Sequence, residues 1–238
     1  MFVLILFWLF SSLFLYTYLG YPVLLAGIGY IRKNRNVKEP ITPEITLIIS
    51  AYNEEAVIED KIRNSLALDY PREKLEIVVV SDASSDKTEE IAKRYKEVGV
   101  LTRRVEGRVG KTACLNVVVP EVRGEIVVFS DANSMFPEQA VRKLVQNFAD
   151  SMVGCVTGYT KYTSQKDGIL DGSLSMYSQL ERIIKEMESR IGSCVGADGA
   201  IFAIRKHLYE PLKGTDINDL VIPLNIVSKG YRTVIERE

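Results

Sequence analysis

One short run constrains the fold more than any other part of the chain: residues 126–130, Ile-Val-Val-Phe-Ser. It is mostly apolar and rich in β-branched residues, which is typical of a strand buried on both faces of a parallel sheet. Asp131 follows it directly, and Asn133 comes two residues later. Ligands of open α/β sheets bind beyond the carboxyl ends of the strands, so Asp131 is expected to face a binding crevice.

The rest of residues 44–238 alternates in the same way between strand-like and helix-like segments, with no second linker and no visible repeat. A stretch of about 195 residues suits a single α/β domain. Short apolar runs predict strands at residues 45–50, 75–80, 100–104, 126–130, 153–162, 201–204 and 231–235. Apolar residues at helical spacing predict helices at 54–68, 87–96, 111–119, 138–148 and 173–190, and a last helix that opens within 215–220 and ends at Gly230.

Residues 1–31 predict a membrane anchor. No charged side chain occurs from Phe2 to Ile31, and about 20 apolar residues suffice to cross a hydrocarbon core of about 30 Å. Pro22 and nearby glycines are expected to kink this segment or to divide a spanning part from an interfacial part. A signal peptide is disfavoured, because no basic residue precedes the run and the run is too long.

The residues after the anchor predict its orientation. Basic side chains follow at positions 32, 33, 35 and 38, whereas none precedes the apolar run. The positive-inside bias therefore predicts a single-pass protein of the cell membrane with its domain in the cytoplasm. Residues 32–43, which contain Pro40 and Pro43, predict a short basic linker.

Composition gives little further information about the function of the chain. The formal net charge is −1, which gives no indication of a nucleic-acid partner. Three scattered cysteines without metal-like spacing are expected to be reduced core thiols. The single histidine, His207, is expected at the surface rather than in catalysis.

Several polar residues stand where strands end or helices begin. Asp82 follows the strand at 75–80 and is placed to accept hydrogen bonds from a ligand. Asn53 and Asp86 are predicted to cap the helices that follow them. Lys111 begins a helix, where the macrodipole disfavours a cation, so it is predicted to face a ligand. The loop at 106–112 lacks the spacing of a phosphate-binding loop.

Asp131 and Asn133 allow two interpretations. Two oxygen ligands on one turn suit Mg²⁺ or Mn²⁺, which takes its remaining ligands from phosphates and water. Alternatively, Asp131 caps the helix that starts near Pro137. Asp219, at the start of the last helix, is similarly either a cap or a functional carboxylate.

Six motifs then occur in one order: residues 50–55, 80–88, 110–116, 131–133, 196–205 and 218–232. This series resembles the processive-type, membrane-anchored family 2 glycosyltransferases, over about residues 44–236. The resemblance implies the GT-A fold, an α/β fold with a mixed, mostly parallel sheet flanked by helices. It thereby assigns residues 44–238 to one GT-A domain.

Site residues follow from the resemblance position by position. It implies nucleotide binding by Ala51, Tyr52, Glu54, Asp82, Lys111 and Asp131. Asp131 and Asn133 would bind metal, with Asn133 in place of the second aspartate of the family's Asp-x-Asp motif. Asp219 matches the last residue of the family's Glu-Asp or Asp-Asp pair and would be the catalytic base. The acceptor side would include Asp198, Gly199 and Asn218.

The implied reaction is an inverting, metal-dependent transfer of a sugar from a nucleoside diphosphate sugar, with a UDP-sugar favoured, to a saccharide or lipid-linked acceptor. Mn²⁺ or Mg²⁺ would neutralise the departing diphosphate. Asp219 would take the proton of the acceptor hydroxyl as it attacks from the opposite face of the sugar. Because Asn133 is neutral, weaker metal binding is expected.

The neutral Asn133 is one departure from the family, and a second departure, at the C-terminus, keeps alternatives open. Processive members carry a Gln-x-x-Arg-Trp motif and further membrane helices after the final strand, whereas this sequence ends at Glu238 and its one tryptophan is Trp8. We therefore expect either a fragment or a chain without that acceptor-side module, which binds its donor but transfers it poorly. A non-catalytic nucleotide-sugar-binding membrane protein is the alternative function. A nucleotidyltransferase is disfavoured, because no glycine-rich basic loop follows the first strand.

Overall fold

Seven strands form one mixed sheet in the computed structural model, which describes residues 1–31, 36–160 and 172–237, with the backbone alone for 172–177. The strands are β1 (Ile45–Ala51), β2 (Leu75–Asp82), β3 (Val100–Val105), β4 (Ile126–Asp131), β5 (Val153–Thr157), β6 (Ile201–Arg205) and β7 (Arg232–Ile235). Their spatial order is β3-β2-β1-β4-β6-β5-β7. β6 runs antiparallel to both of its neighbours, and the other pairs are parallel.

Helices cover both faces of this sheet. The α-helices of the described residues are α1 (Phe2–Leu15), α2 (Tyr21–Ile31), α3 (Ile58–Leu66), α4 (Thr88–Lys93), α5 (Lys111–Val118), α6 (Ala140–Gln146), α7 (Gly172–Ile191) and α8 (Asn218–Ser228). Apolar residues of α3, α4 and α6 form a core on one face, and those of α5 and α8 form a core on the other. The predicted α/β fold and its strand–helix alternation are confirmed.

Side chains alternate between the two faces of the sheet along each strand, and this alternation produces the two cores. Along β1, Leu47 and Ile49 contribute to the first core, whereas Ile48 points to the second, and all three are fully buried. Burying a side chain of this size stabilises the fold by about 1.5–3 kcal/mol. On the second face, the rings of Phe129 in β4 and Phe202 in β6 stack with centroids 4.6 Å apart.

The sheet reverses its winding between β1 and β4. The chain proceeds outward from β1 through β2 to β3, then returns to place β4 on the other side of β1. The register pairs Ser50 with Asp131 and Ala51 with Ser81, so the carboxyl ends of β1, β2 and β4 lie level. Crevices at such switch points are the usual ligand sites of open α/β sheets.

The apolar N-terminal segment is helical throughout, and it is the one run in the described residues that is long and apolar enough to cross a membrane (Phe2–Ile31, mean hydropathy 2.0). A π-helical turn, Tyr16–Gly20, lies directly before Pro22 and divides α1 from α2. α2 packs against α7, with Leu25 buried and the Tyr21 hydroxyl donating to the carboxylate of Glu188.

Some local predictions need correction. Asn53 does not cap a helix, because α3 begins only at Ile58; its side chain instead accepts the N–H of Ser85 at 2.9 Å. Asp131 does not cap α6, which starts nine positions later at Ala140. Asp219 is the second residue of α8 and not its cap.

Other predicted features are found or fall outside the described residues. Asp86 accepts the N–H of Thr88, the first residue of α4, at 3.0 Å. Gly230, with φ of 87°, follows the end of α8 as predicted. The strand predicted at 153–162 ends at Thr157, and its positions 161–162 lie outside the described residues, as do linker residues 32–35.

Candidate active site

A cleft of about 230 Å³ opens beyond the carboxyl ends of β1, β2 and β4. It is lined by Ser50, Ala51, Tyr52, Glu54, Asp82, Lys111, Cys114, Asp131, Ala132 and Asn133. Every residue that the sequence assigned to nucleotide or metal binding is in this set. Segments about 80 residues apart in the chain therefore meet at the switch point of the sheet.

The turns after β1 and β2 are held together by side-chain to backbone hydrogen bonds. Asn53 has a left-handed φ of 53° and accepts the N–H of Ser85. The backbone N–H of Glu54 donates to Thr88 Oγ1 at 2.8 Å. These contacts fix Tyr52 and Glu54 on the rim of the cleft.

A loop after β3 contacts the part of the cleft assigned to the nucleotide base. The two carboxylate oxygens of Asp82 accept the N–H groups of Val109, at 2.7 Å, and of Gly110, at 2.9 Å. The Arg108 guanidinium lies over the ring of Tyr52, 4.5 Å from its centroid. Arg108 and Gly110 both have positive φ, 48° and 90°. The loop thus supplies two N–H donors to the Asp82 carboxylate and a cation to the ring of Tyr52.

Cys114 is a cleft residue that the sequence did not indicate. Burial, followed by the negative charge of the nearby Asp82, raises the pKa of its thiol to about 12. Cys114 therefore stays a neutral donor at physiological pH. The signal that could have identified it is its position one turn after Lys111 on α5.

Lys111 connects the nucleotide side of the cleft with the acceptor side. Its Nζ lies 2.5 Å from Asp131 Oδ1 and 3.4 Å from the carbonyl oxygen of Gly199. Both side chains of the ion pair are partly exposed, at 29% for Lys111 and 39% for Asp131. The ammonium group thus faces the cleft, where an anionic ligand can reach it.

Asp219 lies against the glycine-rich loop that precedes β6. Its carbonyl oxygen accepts the N–H of Ala197 at 2.7 Å. Its Oδ2 is so close to Gly199 that a Cβ on that residue would be 2.6 Å away. Asn218 is buried, and its side-chain nitrogen has no hydrogen-bond partner among the described residues.

Asp198, assigned to the acceptor side, is engaged by Thr160, which follows β5, and by its own loop. One carboxylate oxygen accepts the backbone N–H of Thr160 at 2.6 Å and its hydroxyl at 2.8 Å. The other accepts the N–H of Ala200 at 3.0 Å. These bonds shape the turn on which Gly199 approaches Asp219.

The turn after β4 offers hard oxygen ligands. Asp131 is half-buried, and Asn133 is exposed at the cleft rim, where Ser134 Oγ lies 3.4 Å from its Oδ1. Across residues 1–31, 36–160 and 172–237, no group of three or more His, Cys, Asp or Glu side chains could hold a metal by itself. Two oxygens from one turn nevertheless fit Mg²⁺ or Mn²⁺, which binds one or two protein oxygens and completes its shell with phosphates and water.

A buried cation lies beneath this turn and was also missed. Lys61, on α3, is fully buried, and its Nζ donates to the carbonyl oxygen of Ser134. Burial lowers the pKa of Lys61 to about 7, and the negative charge of Asp131 raises it in part.

Comparison with known proteins identifies the family. A model of glycosyl transferase family 2 matches residues 46–212, more than two thirds of the chain. The chain belongs to glycosyl transferase family 2. The resemblance in the sequence is therefore confirmed over most of the GT-A domain.

Curated relatives include enzymes of lipid and polysaccharide glycosylation. A β-monoglucosyldiacylglycerol synthase of Trichormus variabilis is 35% identical over 136 residues, 55% of this chain and 29% of the relative. A poly-β-1,6-N-acetyl-D-glucosamine synthase of Staphylococcus aureus is 28% identical over 217 residues, 87% of this chain and 52% of the relative. The chain thus spans about half or less of the length of these relatives.

Solved structures confirm the fold. The mannosyltransferase PcManGT of Pyrobaculum calidifontis, in complex with GDP-Man and Mn²⁺, has a TM-score of 0.77 and 25% identity, covering 94% of this chain and 66% of that one. Residues 1–349 of TarS of S. aureus have a TM-score of 0.59 at 18% identity, covering 81% of this chain and 57% of that one. The predicted GT-A fold is confirmed.

Proposed function

We propose that this family 2 protein transfers a sugar from a nucleoside diphosphate sugar to a saccharide or lipid-linked acceptor, with inversion at the transferred carbon and with a divalent metal ion. The observation that carries the proposal is the cleft itself. All residues assigned to the donor line one crevice at the switch point of a GT-A sheet. Membership of glycosyl transferase family 2 indicates that the chemistry of this crevice is sugar transfer.

The donor half of the cleft has the groups that a nucleotide needs. Tyr52 offers a ring to the base, and Asp82 offers a carboxylate that accepts hydrogen bonds from N–H or ribose O–H groups. In the structure both are engaged by the loop that carries Arg108. Donor binding therefore requires this loop to exchange its contacts for contacts with the nucleotide.

The sequence resemblance favours a UDP-sugar. PcManGT was solved with GDP-Man, so a GDP-sugar is the second donor to test. Calorimetric titration with UDP-, GDP- and other nucleotide sugars, each with and without Mn²⁺, identifies the base. Absence of binding by any of them would contradict the proposed donor site.

Leaving-group stabilisation is assigned to the turn after β4 and to Lys111. Asp131 and Asn133 would hold Mn²⁺ or Mg²⁺, which when bound neutralises charge on the departing diphosphate. The ammonium of Lys111, now paired with Asp131 at 2.5 Å, is close enough to turn to the same diphosphate.

Proton abstraction is assigned to Asp219. Its carboxylate lies beside Gly199, whose carbonyl oxygen is in turn 3.4 Å from the ammonium of Lys111. This series of contacts supports the assignment, because an acceptor hydroxyl bound across the loop from the donor half would have a carboxylate beside it to take its proton as it attacks. Asp198 and Asn218 are proposed to shape this acceptor side.

The test separates donor binding from chemistry. Asp219→Asn should bind the donor as the wild type does, while transfer falls by about 10²-fold or more. Transfer near the wild-type level would assign the base elsewhere. The anomeric configuration of the product, read by NMR, tests inversion.

Location at the cell membrane is part of the proposal. Residues 1–31 would form the anchor, 32–43 a linker and 44–238 the catalytic domain on the cytoplasmic side. The apolar helix Phe2–Ile31 and the contact between α2 and α7 support this arrangement. Protease accessibility of the domain in right-side-out and inverted vesicles measures the orientation directly.

A non-catalytic nucleotide-sugar-binding protein is the second candidate. It is favoured by the neutral Asn133 in the metal turn and by the loop that engages Asp82. Both candidates predict donor binding, but only the enzyme predicts metal-stimulated release of nucleoside diphosphate from the donor. Binding without such release would favour the second candidate.

A further inference from the structure

The buried ammonium of Lys61 has no role in the proposed chemistry and is costly to keep. Lys61 has no exposed surface and is among the largest fully buried side chains of the described residues. A buried cation loses its hydration and needs partners in exchange. An apolar side chain of the same length would occupy this space without that cost. Both partners that Lys61 has in the structure belong to one turn.

That turn joins Asp131 at the end of β4 to the residues before α6. The Nζ of Lys61 donates to the carbonyl oxygen of Ser134, one residue after Asn133. The same ammonium lies 3.6 Å from the centroid of the Phe136 ring, a cation–π contact. Lys61 thus holds the turn without lining the cleft itself.

A second residue of α3 completes the attachment. Asn64, one helical turn after Lys61, donates to the carbonyl oxygen of Phe136 and accepts its N–H, both at 2.8 Å. The two side chains therefore fix three backbone groups of residues 134–136. This attachment lies directly beside the two proposed metal ligands, Asp131 and Asn133.

We propose that Lys61 is a positioning residue of the donor site, which holds the turn of Asp131 and Asn133 in its binding geometry and places a positive charge behind it. The inference rests on the proposed donor and metal site. The positive charge matters because the turn must receive an anionic diphosphate; within the proposed metal pair only Asp131 carries a negative charge that faces Lys61, and Asn133 adds none. The hydrogen bond to Ser134 matters because it fixes the position of the turn, and a shift of about 1 Å is enough to impair a site.

Lys61→Met removes the charge and the hydrogen bond but keeps the length of the chain. Lys61→Arg keeps a charged donor. The matched control is Lys74→Met, because Lys74 Nζ also donates to a backbone carbonyl, that of Thr42 at 2.7 Å, away from the cleft. Two quantities are measured on the full chain: the affinity for the nucleotide sugar in the presence of Mn²⁺, and hydrogen exchange of residues 131–137 without ligand.

The expected result is a loss of donor affinity of about tenfold or more in Lys61→Met, since a hydrogen bond to a charged group is removed. Exchange in the turn should accelerate, while exchange in β1 and β2 should not change. Lys61→Arg should recover part of the affinity, and Lys74→Met should match the wild type in both measurements. If Lys61→Met does not fold, Lys61→Gln replaces it under the same criteria.

Three results overturn the inference: unchanged exchange in the turn, faster exchange with unchanged donor affinity, and an equal loss in Lys74→Met. The second of these would assign Lys61 to the fold alone. If the wild type binds no nucleotide sugar, the proposed function fails, and exchange in the ligand-free turn still decides whether Lys61 holds it.

Discussion

Replacement of Gly199 by alanine is the sharpest test of the role assigned to Asp219. A Cβ at position 199 would lie 2.6 Å from Asp219 Oδ2, 3.4 Å from its Cγ and 3.7 Å from its Cβ. The new methyl group therefore collides with one carboxylate oxygen and little else. Gly199→Ala perturbs the proposed base without changing its chemistry.

The size of the effect follows from this distance. Ordinary contacts of a Cβ begin at 3.4 Å, so the oxygen has to move by about 0.8 Å, from 2.6 to 3.4 Å. A misplacement of about 1 Å in a catalytic group costs about 10²-fold in rate, or about 2.7 kcal/mol of transition-state stabilisation. The fold should lose little stability, because the obstacle is the end of a flexible side chain.

Three quantities are measured for each variant. Transfer is followed as release of nucleoside diphosphate, donor affinity by calorimetry and stability by thermal melting. Gly192→Ala is the matched control, because no heavy atom of the described residues lies within 4 Å of a Cβ there. Only Gly199→Ala should slow transfer, with unchanged donor affinity and melting temperature in both variants.

A double mutant shows whether the effect passes through Asp219. If Gly199→Ala acts by displacing this carboxylate, its addition to Asp219→Asn should cost no further activity, since the two changes remove the same contribution. Additive losses would assign the effect of Gly199 to another group. Wild-type transfer by Gly199→Ala alone would refute the placement of the base.

Further predictions concern the donor site, the metal turn and the core. Asp82→Ala should abolish nucleotide binding and leave the melting temperature intact; unchanged affinity in calorimetry would exclude this location of the site. Asn133→Asp should lower the midpoint of a Mn²⁺ titration, because it adds a negative charge to the turn, and an unchanged midpoint would remove Asn133 from the metal shell. Gly124→Ala should destabilise the fold by about 3 kcal/mol or more, because its Cβ would lie 2.3 Å from the backbone nitrogen of Thr46, whereas Gly214→Ala, with open space around it, should melt like the wild type. Relative to wild type, Lys61→Met should gain stability below pH 7, because the folded-state pKa of Lys61 is lowered to about 7. This gain should fade between pH 7 and the unfolded-state pKa of 10.5, above which the lysine is neutral in both states.

The sequence predicts the sheet well because each strand carries its own signal. The runs at β1, β2 and β4 are apolar on both faces, and in each case polar residues follow at the carboxyl end. A signal of this kind depends on a few neighbouring residues and on no distant contact. The level ends of these strands then bring Ala51, Asp82 and Asp131 to one crevice.

Contacts made by the backbone could not be predicted in this way. The N–H groups of Val109 and Gly110 satisfy Asp82, although neither side chain indicates such a role. Asn53 has the composition of a helix cap, but its left-handed backbone turns it toward Ser85 in another loop. In both cases the partner lies about 30 residues away in the chain.

Lys61 illustrates a second limit of prediction from the sequence. In the sequence it stands between Asp60 and Ile62 in a charged helical stretch, where a lysine usually faces solvent. It is buried only because the turn after β4 crosses over α3 and places Ser134 and Phe136 on top of it. Burial of this lysine is a property of the tertiary fold that the local pattern of α3 does not contain.

The N-terminal helix connects to the proposed acceptor side through a short series of contacts. The Tyr21 hydroxyl in α2 donates to the carboxylate of Glu188 in α7, and the same carboxylate accepts the N–H of Val195 at 3.2 Å. Two residues further, the N–H of Ala197 donates to the carbonyl oxygen of Asp219. Glu188 is buried, so these bonds are shielded from water and hold the helix and the loop in one arrangement. These contacts connect α2, the end of the proposed membrane anchor, with the loop beside Asp219, the proposed base.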